Sequence, residues 1–524
     1  MARFYIENFG CRATQADGAA LERQFVERGM QRAAAAREAE LVVLNTCTVT
    51  EGADRDARAS IRRLQRINPE CRILVTGCYA QRAPEELAAL PGVTWVVGNS
   101  HKHQAAEIAA AGMVPARFAS AGFVPIATLA GPLDRSVATS TAHGAAGNDV
   151  DPPIRVVVGD IFAHTELMAA PVFEAANERT RPNLKVQDGC DNRCSFCVIP
   201  YVRGASRSLP GERAIAEVRA LVEAGYREVV ISGINLGRWG RDLPVVVGRP
   251  SSFVLRDNLP RDLSAFDHLD LPASGEHGIA NKERLTANDQ RRTTNDGQRF
   301  IDLVRAILAE TELEKLRISS VEPMDWSDEL IALVASSPRI AKHAHVPMQS
   351  GSDAVLRRMH RKYRPWHYRE KIWKIRSAMP HAAIGADVMV GFPGESAEEF
   401  DETRRMVEEL PFTYLHVFTY SARPGTPAAQ QPRQVPVAVA RERNGVLRDI
   451  AAAKKLAFMR SLIGTDVDAI TLQAGGAGFT EGLTDNYLKV KIAGRLQANR
   501  WMRLRIERVD GEMSVAQAAI AAKT

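Results

Sequence analysis

The chain has 524 residues, 45% hydrophobic and 25% charged, with a net charge of +6. That is ordinary globular usage, which excludes a disordered, collagenous or fibrous chain, and the length is a prior for roughly three to four domains. No run approaches the roughly 18 apolar residues of a membrane span, and Met1 to Gly10 lacks the basic-then-apolar layout of a secretory signal, so the expectation is a cytoplasmic protein with no membrane partner.

Residues 1–125 read as a parallel-sheet α/β domain. Strand-like runs at 3–6, 41–44, 73–76 and 94–97 alternate with helical stretches such as 17–28 and 54–66, the pattern of a sheet with helical crossovers. Residues 126–178 are rich in Ala and Gly, with one plausible strand at 154–158, and read as a linker with a low-complexity insertion. A second α/β series spans 179–440. Its strands are expected at 184–187, 228–233, 316–320, 343–348, 386–390 and 414–420, which makes six βα units and a partial (β/α)6 barrel rather than the usual eight. The stretch 241–298 interrupts the second unit without a sustained period and reads as a surface insertion. Residues 441–524 hold a connecting helix and short strands split by Gly-Gly, Thr-Asp-Asn and Asp-Gly, a small all-β barrel. This last segment carries fourteen Lys/Arg against nine Asp/Glu, most of the positive excess of the chain, which points to a polyanion-binding end. The segments 131–151 and 243–294 lack apolar periodicity and are expected to be dispensable surface.

Seven cysteines in a chain this long do not make a secreted disulfide scaffold. Cys190, Cys194 and Cys197 stand within eight residues, spaced C-x3-C-x2-C, in Asp188-Gly189-Cys190-Asp191-Asn192-Arg193-Cys194-Ser195-Phe196-Cys197. They follow the first barrel strand, at the strand end where barrel enzymes place their chemistry. Three adjacent thiolates can wrap one soft metal centre. A cubane [4Fe–4S] cluster held by three cysteines leaves one iron open to a small molecule. The competing reading is zinc, but structural zinc wants four ligands, and no fourth Cys or His lies nearby in sequence. Cys11, Cys47 and Cys78 each follow a strand-like run. In a parallel sheet those strand ends share one edge, so the three are expected to converge, as a second metal cluster, although 36 and 31 residues separate them. Cys71 precedes a strand on the opposite edge and reads as structural.

The C-x3-C-x2-C loop resembles that of the radical S-adenosylmethionine (SAM) superfamily. The three-part layout, with Asn45-Thr46-Cys47-Thr48-Val49-Thr50, Thr76-Gly77-Cys78-Tyr79-Ala80-Gln81, Val346-Pro347-Met348-Gln349-Ser350-Gly351-Ser352, Asp387-Val388-Met389-Val390-Gly391-Phe392-Pro393-Gly394-Glu395 and Phe418-Thr419-Tyr420-Ser421-Ala422-Arg423-Pro424-Gly425-Thr426, resembles the radical SAM methylthiotransferase family over about 400 residues. Thr48-Val49-Thr50 and Ser232-Gly233-Ile234-Asn235-Leu236-Gly237 most resemble the branch that modifies threonylcarbamoyladenosine in tRNA. Gly482-Leu483-Thr484-Asp485-Asn486-Tyr487 resembles the family's TRAM domain, an RNA-binding β module.

The resemblance implies two [4Fe–4S] clusters and SAM as cofactors. Cys190, Cys194 and Cys197 would serve radical generation, and Cys11, Cys47 and Cys78 would carry or donate sulfur. Phe196 matches the aromatic set against adenine. Ser232 and Gly233 fall where the SAM amino group is contacted, but replace the common Gly-Gly-Glu, so that contact would be by backbone. Gly391 ends a strand near the adenine, and Glu322 can hold a ribose hydroxyl or a substrate amine. The implied function is conversion of N6-threonylcarbamoyladenosine at position 37 of tRNA to its 2-methylthio derivative. The implied partners are the tRNA anticodon loop, an electron donor and a sulfur source. The alternatives are the same chemistry on isopentenyladenosine or on a ribosomal-protein aspartate, and, in a different class, a zinc-loaded RNA-binding protein. Two further features read either way. Arg203 and Arg207 can pair with substrate phosphate or the SAM carboxylate, or form ion pairs on the barrel rim. The stretch 357–371 holds seven Lys/Arg, one acid, and Tyr363, Trp366 and Tyr368, either a grip for single-stranded RNA or a solvated helix with a packed aromatic turn.

Overall fold

The structure, a computed structural model, describes residues 1–113, 155–164, 167, 181–244, 298–476 and 478–518. Strands β1 (Arg3–Asn8), β2 (Gln31–Arg32), β3 (Leu41–Thr46), β4 (Arg72–Gly77), β5 (Val93–Gly98) and β6 (Arg155–Val157) make a six-stranded sheet in the order β2-β1-β3-β4-β5-β6, with every pair parallel. Leu41, Val42, Val43 and Leu44 are all fully buried, because a parallel sheet is covered on both faces and its strands become continuous apolar runs. The helices Arg12–Glu27 and Ala105–Met113 cover one face, packing Leu21, Phe25 and Ala109 on Phe4, Val43 and Leu74. The helix Glu51–Ile67 covers the other, with Ala57, Ile61 and Leu64 on Val42, Leu44 and Val75. Strand β6 is the strand expected at 154–158 within the linker stretch. Arg155, Val156 and Val157 pair with Trp95, Val96 and Val97, so this stretch completes the N-terminal sheet.

The second sheet contains β7 (Asn183–Asp188), β8 (Arg207–Ser208), β9 (Glu228–Gly233), β10 (Lys315–Ile318), β11 (His343–His345), β12 (Ala383–Val390) and β13 (Tyr414–Thr419). The ladders run β10-β9-β7-β8 and β11-β12-β13, and parallel bridges Leu316–Ile340 and Ser320–His345 join them. The result is the expected open (β/α)6 half-barrel, with β8 added antiparallel at one edge. The start of the 241–298 insertion is anchored: the Asp242 carboxylate accepts hydrogen bonds from the Ser208 N–H (2.7 Å) and hydroxyl (2.6 Å). The segment 131–151, and 243–294 beyond Pro244, lie outside the described residues.

The helix Val437–Ser461 leads to the closed barrel β14 (Asp466–Gly476), β15 (Phe479–Thr484), β16 (Lys489–Ala493), β17 (Trp501–Asp510) and β18 (Met513–Ala518), ordered β14-β15-β16-β18-β17. Its turn after β15 seals the base of the half-barrel: Arg317, fully buried, donates to the carbonyls of Asp485 (3.0 Å) and Thr484 (3.2 Å). Among the described residues no helix is long and apolar enough to cross a membrane.

A buried ionic knot docks the N-terminal sheet onto the open side of the half-barrel. Asp17, on the helix Arg12–Glu27, pairs with Lys102 (3.0 Å), Arg203 (3.1 Å) and Lys185 of β7. Asp188, at the end of β7, pairs with Lys185 (2.8 Å) and Arg203 (2.9 Å). A second clamp closes the far edge, where the buried Asp54 carboxylate takes Arg82 (3.0 Å) and Arg423 (2.8 Å). Burial alone would raise the Asp17 carboxyl. Lys102, Lys185 and Arg203 more than reverse this and hold it well below the usual carboxylate range. Asp17→Ala leaves three buried cations short of a counter-charge, and should cost about 3–5 kcal/mol, read as a lower urea midpoint. Because the folded value is depressed, the contribution is complete above the unfolded value of about 3.9 and is lost as pH falls below it. The gap between wild type and variant should stay level down to about pH 5 and shrink below about pH 4.

Candidate active site

The ends of β1, β3 and β4 bring Cys11, Cys47 and Cys78 to one edge. Cys47 and Cys78 follow their strands directly and are buried, while Cys11 lies at the start of the helix Arg12–Glu27 and is exposed. Two glycines make the approach possible. Gly10 has φ +91°, and a Cβ there would lie 2.5 Å from Cys47 Cβ and 2.8 Å from its Sγ. Gly77 has φ +103°, and a Cβ would lie 2.3 Å from the Thr46 carbonyl oxygen. Both conformations favour glycine, and both spaces are already taken. Burial, then the neighbouring Cys78 and Cys11, push the Cys47 thiol up to about 12. Cys47 is thus held as a thiol, the state that a cationic centre reverses when it takes thiolates as ligands. Asn99 Nδ2 lies 3.5 Å from Cys78 Sγ as a donor.

The loop after β7 gathers the other three. Burial, then Cys194, push the Cys197 thiol up to about 12, with Cys190 adding to it. Donors already point at these sulfurs: the Asn192 N–H (3.4 Å) and Asn235 Nδ2 (3.7 Å) at Cys190, and Arg361 Nη1 (3.2 Å) at Cys194. Hydrogen-bond donors of this kind suit thiolate or sulfide acceptors, so both groups of three fit an iron–sulfur centre. The two groups share an apolar seam: Cys78 packs with Val198, Ile199 and Val202, and Cys190, Cys197 and Ile234 lie against that cluster.

Of the two roles expected of Arg203 and Arg207, Arg203 takes the ion-paired one. Arg203 is 2% exposed and is spent on Asp17 and Asp188, and Arg207 is 8% exposed with its Nη1 on the His164 carbonyl (3.2 Å). Docking of the N-terminal sheet buries the rim on which they would have met solvent or substrate. The charge of Arg203 is felt by Cys78 and Cys11. Three cations against two carboxylates leave the knot one positive charge in excess, beside the cysteines that would carry negative charge.

The remaining expected residues divide. Phe196 is half-buried, edge-on to Phe392 at 6.4 Å between ring centroids. Ser232 is buried and its hydroxyl has no hydrogen-bond partner, so it can serve a ligand directly, where only a backbone contact was expected. The space a side chain at Gly233 would need is held by Gln187, whose Oε1 accepts from the Asn235 N–H at 2.7 Å. Glu322 is ion-paired with Arg361 and so reaches the Cys194 sulfur through that guanidinium. A Cβ at Gly391, φ +74°, would lie 2.6 Å from the Ala440 Cβ, because the helix Val437–Ser461 packs there. In the stretch 357–371, Tyr363 and Tyr368 are buried with their hydroxyls on the Met348 and Val346 carbonyls (2.7 Å each). Arg357, Arg358, Arg361, Arg364, Arg369 and Lys371 are all ion-paired, and Trp366 alone of the aromatics is exposed. Of the two readings of this stretch, the packed, ion-paired helix is the one that describes its surroundings. Sequence reasoning missed Arg361 as a sulfur donor, although it lay inside a stretch already singled out for its charge. It also missed the polar inner wall of the half-barrel, where ligand-capable atoms of His345, Asp387 and His416 all lie within 4.8 Å of one another.

Comparison with known proteins gives the same layout from another direction. The model of the uncharacterized protein family UPF0004 matches residues 3–98, which hold Cys11, Cys47 and Cys78, and that of the radical SAM superfamily matches residues 292–407. The threonylcarbamoyladenosine tRNA methylthiotransferase MtaB of Bacillus subtilis is 32% identical over 505 residues, covering 94% of this chain and 91% of that one. Its counterpart in Aquifex aeolicus is 30% identical, covering 95% and 99%. A tRNA-2-methylthio-N(6)-dimethylallyladenosine synthase of Nocardia farcinica is also 30% identical, covering 96% and 83%. Similarity that runs nearly end to end, across the N-terminal sheet, the half-barrel and the C-terminal β-barrel alike, means that the chain belongs to the radical SAM methylthiotransferase family.

Proposed function

We propose that this chain is a tRNA methylthiotransferase that converts N6-threonylcarbamoyladenosine at position 37 to its 2-methylthio derivative. The observation that carries the proposal is the meeting of two three-cysteine groups across one apolar seam, at the mouth of a half-barrel. The target C2–H bond of adenine is unactivated, so acid–base chemistry has no purchase on it, and a radical is required. Cys190, Cys194 and Cys197 would hold one [4Fe–4S] cluster and Cys11, Cys47 and Cys78 a second. When bound, the first supplies the electron that cleaves SAM reductively to a 5′-deoxyadenosyl radical. Three ligands at each place leave one iron without a protein donor, for SAM at the barrel mouth and for sulfur at the sheet edge. A second SAM would methylate the sulfur.

The protein's own groups would then bind, orient and exclude water. Arg361 holds the Cys194 sulfur by an N–H, and Glu322 holds Arg361. Ser232 offers an unpaired hydroxyl inside the barrel. The docked N-terminal sheet keeps water from the junction. The exposed lysines and arginines of the C-terminal β-barrel, such as Lys489, Arg495 and Arg500, would take tRNA phosphates, since such contacts supply most non-specific affinity. The threonylcarbamoyl target is the one borne in the names of the Bacillus and Aquifex relatives. The dimethylallyl target of the Nocardia relative is the second reading, and nucleoside analysis of tRNA from a deletion strain separates them. Loss of the 2-methylthio group from threonylcarbamoyladenosine supports the first, and loss from the isopentenyl nucleoside supports the second.

Anaerobically reconstituted protein should hold about eight irons; zinc in their place would mark a non-catalytic RNA-binding protein. Replacing Cys190, Cys194 and Cys197 with Ala should halve the iron and abolish formation of 5′-deoxyadenosine. Cleavage of SAM by that variant would show that the radical site is elsewhere. Replacing Cys11, Cys47 and Cys78 with Ala should also halve the iron, and should leave SAM cleavage measurable while eliminating the methylthio product. Methylthiolation that persists in the second variant would make those cysteines structural.

A further inference from the structure

Below the cysteine loop, the inner wall of the half-barrel is polar in a way that iron, SAM and adenine do not require. Side chains on β11, β12 and β13 alternate. Ala344, Ile384, Ala386 and Val388 join the apolar core under the helices, which turns His343, His345, Asp387, Tyr414 and His416 to the opposite face. These five form a connected group. The Tyr414 hydroxyl lies 2.7 Å from His343 Nε2 and 3.2 Å from His345 Nδ1. His345 Nε2 lies 3.2 Å from Asp387 Oδ1 without the alignment of a hydrogen bond, and is buried with no other partner. The rings of His345 and His416 stack at 5.5 Å between centroids. Asp387 stands three residues before the end of β12 at Val390, so the group lies about 10 Å below that strand end.

The base of this chamber comes from the other two domains. Tyr487, on the turn of the C-terminal β-barrel, lies tilted against His343 and Tyr414, with ring centroids 4.6 Å and 5.5 Å away. Arg12, the residue after Cys11, donates to the Tyr487 hydroxyl at 3.3 Å and has no carboxylate partner among the described residues. It is half-buried. A cation brought this far inside without a counter-charge is a ready receptor for an anion.

We infer that the chamber is a receptor for the N6-substituent of the target adenosine, with Arg12 taking its carboxylate and the His345–Asp387–His416 group taking its hydroxyl and N–H groups. The inference rests on the threonylcarbamoyl reading above. That substituent carries a urea, a hydroxyl and a carboxylate, and each finds a complementary group on this wall. Burial first, and the neighbouring positive groups after it, hold His343 and His416 below the usual imidazole value, so both are neutral and can donate or accept. A dimethylallyl group would bury the same atoms against hydrocarbon and leave them unpaired, and a site built to hydrogen-bond rejects an analogue lacking the partner strongly.

The test uses the holoprotein and anticodon stem-loops that differ only at position 37. These carry threonylcarbamoyladenosine, its carboxyl methyl ester, dimethylallyladenosine or plain adenosine, and are compared by competition in fluorescence anisotropy. Wild type should bind the acid about tenfold or more tighter than the ester or plain adenosine, the size of one lost charged hydrogen bond. Arg12→Gln should bring the acid-to-ester ratio to about one. His416→Ala should lower the acid-to-plain ratio several-fold and keep the acid-to-ester ratio. Each ratio is internal to one protein, so partial misfolding cancels, and the ester comparison on wild type needs no variant at all. A wild type that prefers the acid to plain adenosine but binds the ester equally well would overturn the receptor and leave the substrate reading standing. So would Arg12→Gln with an unchanged ratio. A wild type that prefers and methylthiolates the dimethylallyl stem-loop would overturn both.

Discussion

The arrangement of this protein depends on the ionic knot around Asp17. Two groups of cysteines lie on different sheets, and no strand runs from one sheet to the other. What holds them face to face is a set of five buried charges, Asp17 and Lys102 from the N-terminal sheet and Lys185, Asp188 and Arg203 from the half-barrel. Removing such groups from water is expensive, and a packed apolar contact of similar volume is often as stable. The knot has a property that an apolar contact lacks. Its geometry is directional, so Lys185 and Arg203 each reach both carboxylates in only one relative placement of the two sheets. A junction that sets two groups of three cysteines against each other is one where that directionality matters more than raw stability.

The knot also places charge. Iron–sulfur clusters bound by thiolates are electron-rich, and donors and cations around the sulfurs tune them. Arg361 at Cys194, Asn235 at Cys190 and Asn99 at Cys78 supply directed donors, while the excess cation of the knot supplies charge beside Cys78 and Cys11. If the proposed second cluster forms there, Arg203 would both dock the sheet and place charge beside it. This explains why Arg203, which by sequence looks free to meet a substrate, is entirely enclosed.

Much of this was legible before any coordinates. Apolar runs alternating with helical stretches gave the parallel sheet and the six-unit half-barrel, and cysteines at strand ends gave the two convergent groups, because strand polarity alone decides which edge a residue reaches. What the sequence leaves open shares a physical cause. The surroundings of Arg203, the basic stretch 357–371 and Gly391 cannot be read from their own elements. In each case a distant element decided instead: the docked N-terminal sheet, the acids Asp353, Glu399, Glu409 and Asp328, and the helix Val437–Ser461. The polar wall of His345, Asp387 and His416 was invisible for a related reason. Single polar residues in three strands 29 to 42 positions apart have no local signature, and only the parallel register of β11, β12 and β13 sets them side by side.

Strand β6 has a consequence for how the molecule is made. On the ribosome the chain emerges from its N-terminus, so Cys11, Cys47 and Cys78 leave the exit tunnel early, together with β1 to β5. The sheet that carries them still lacks its edge strand until residues 155–157 follow. Asp17 then meets only Lys102 until Lys185 and Arg203 appear, and Asp54 waits for Arg423, nearly the length of the half-barrel later. For most of synthesis the nascent N-terminal site is open to solvent on the side that the half-barrel will cover. A sulfur-carrying centre inserted then would face water and oxygen on that side, whereas one inserted after the last clamp closes would have the half-barrel over it, with Cys11 alone of its three thiols still exposed.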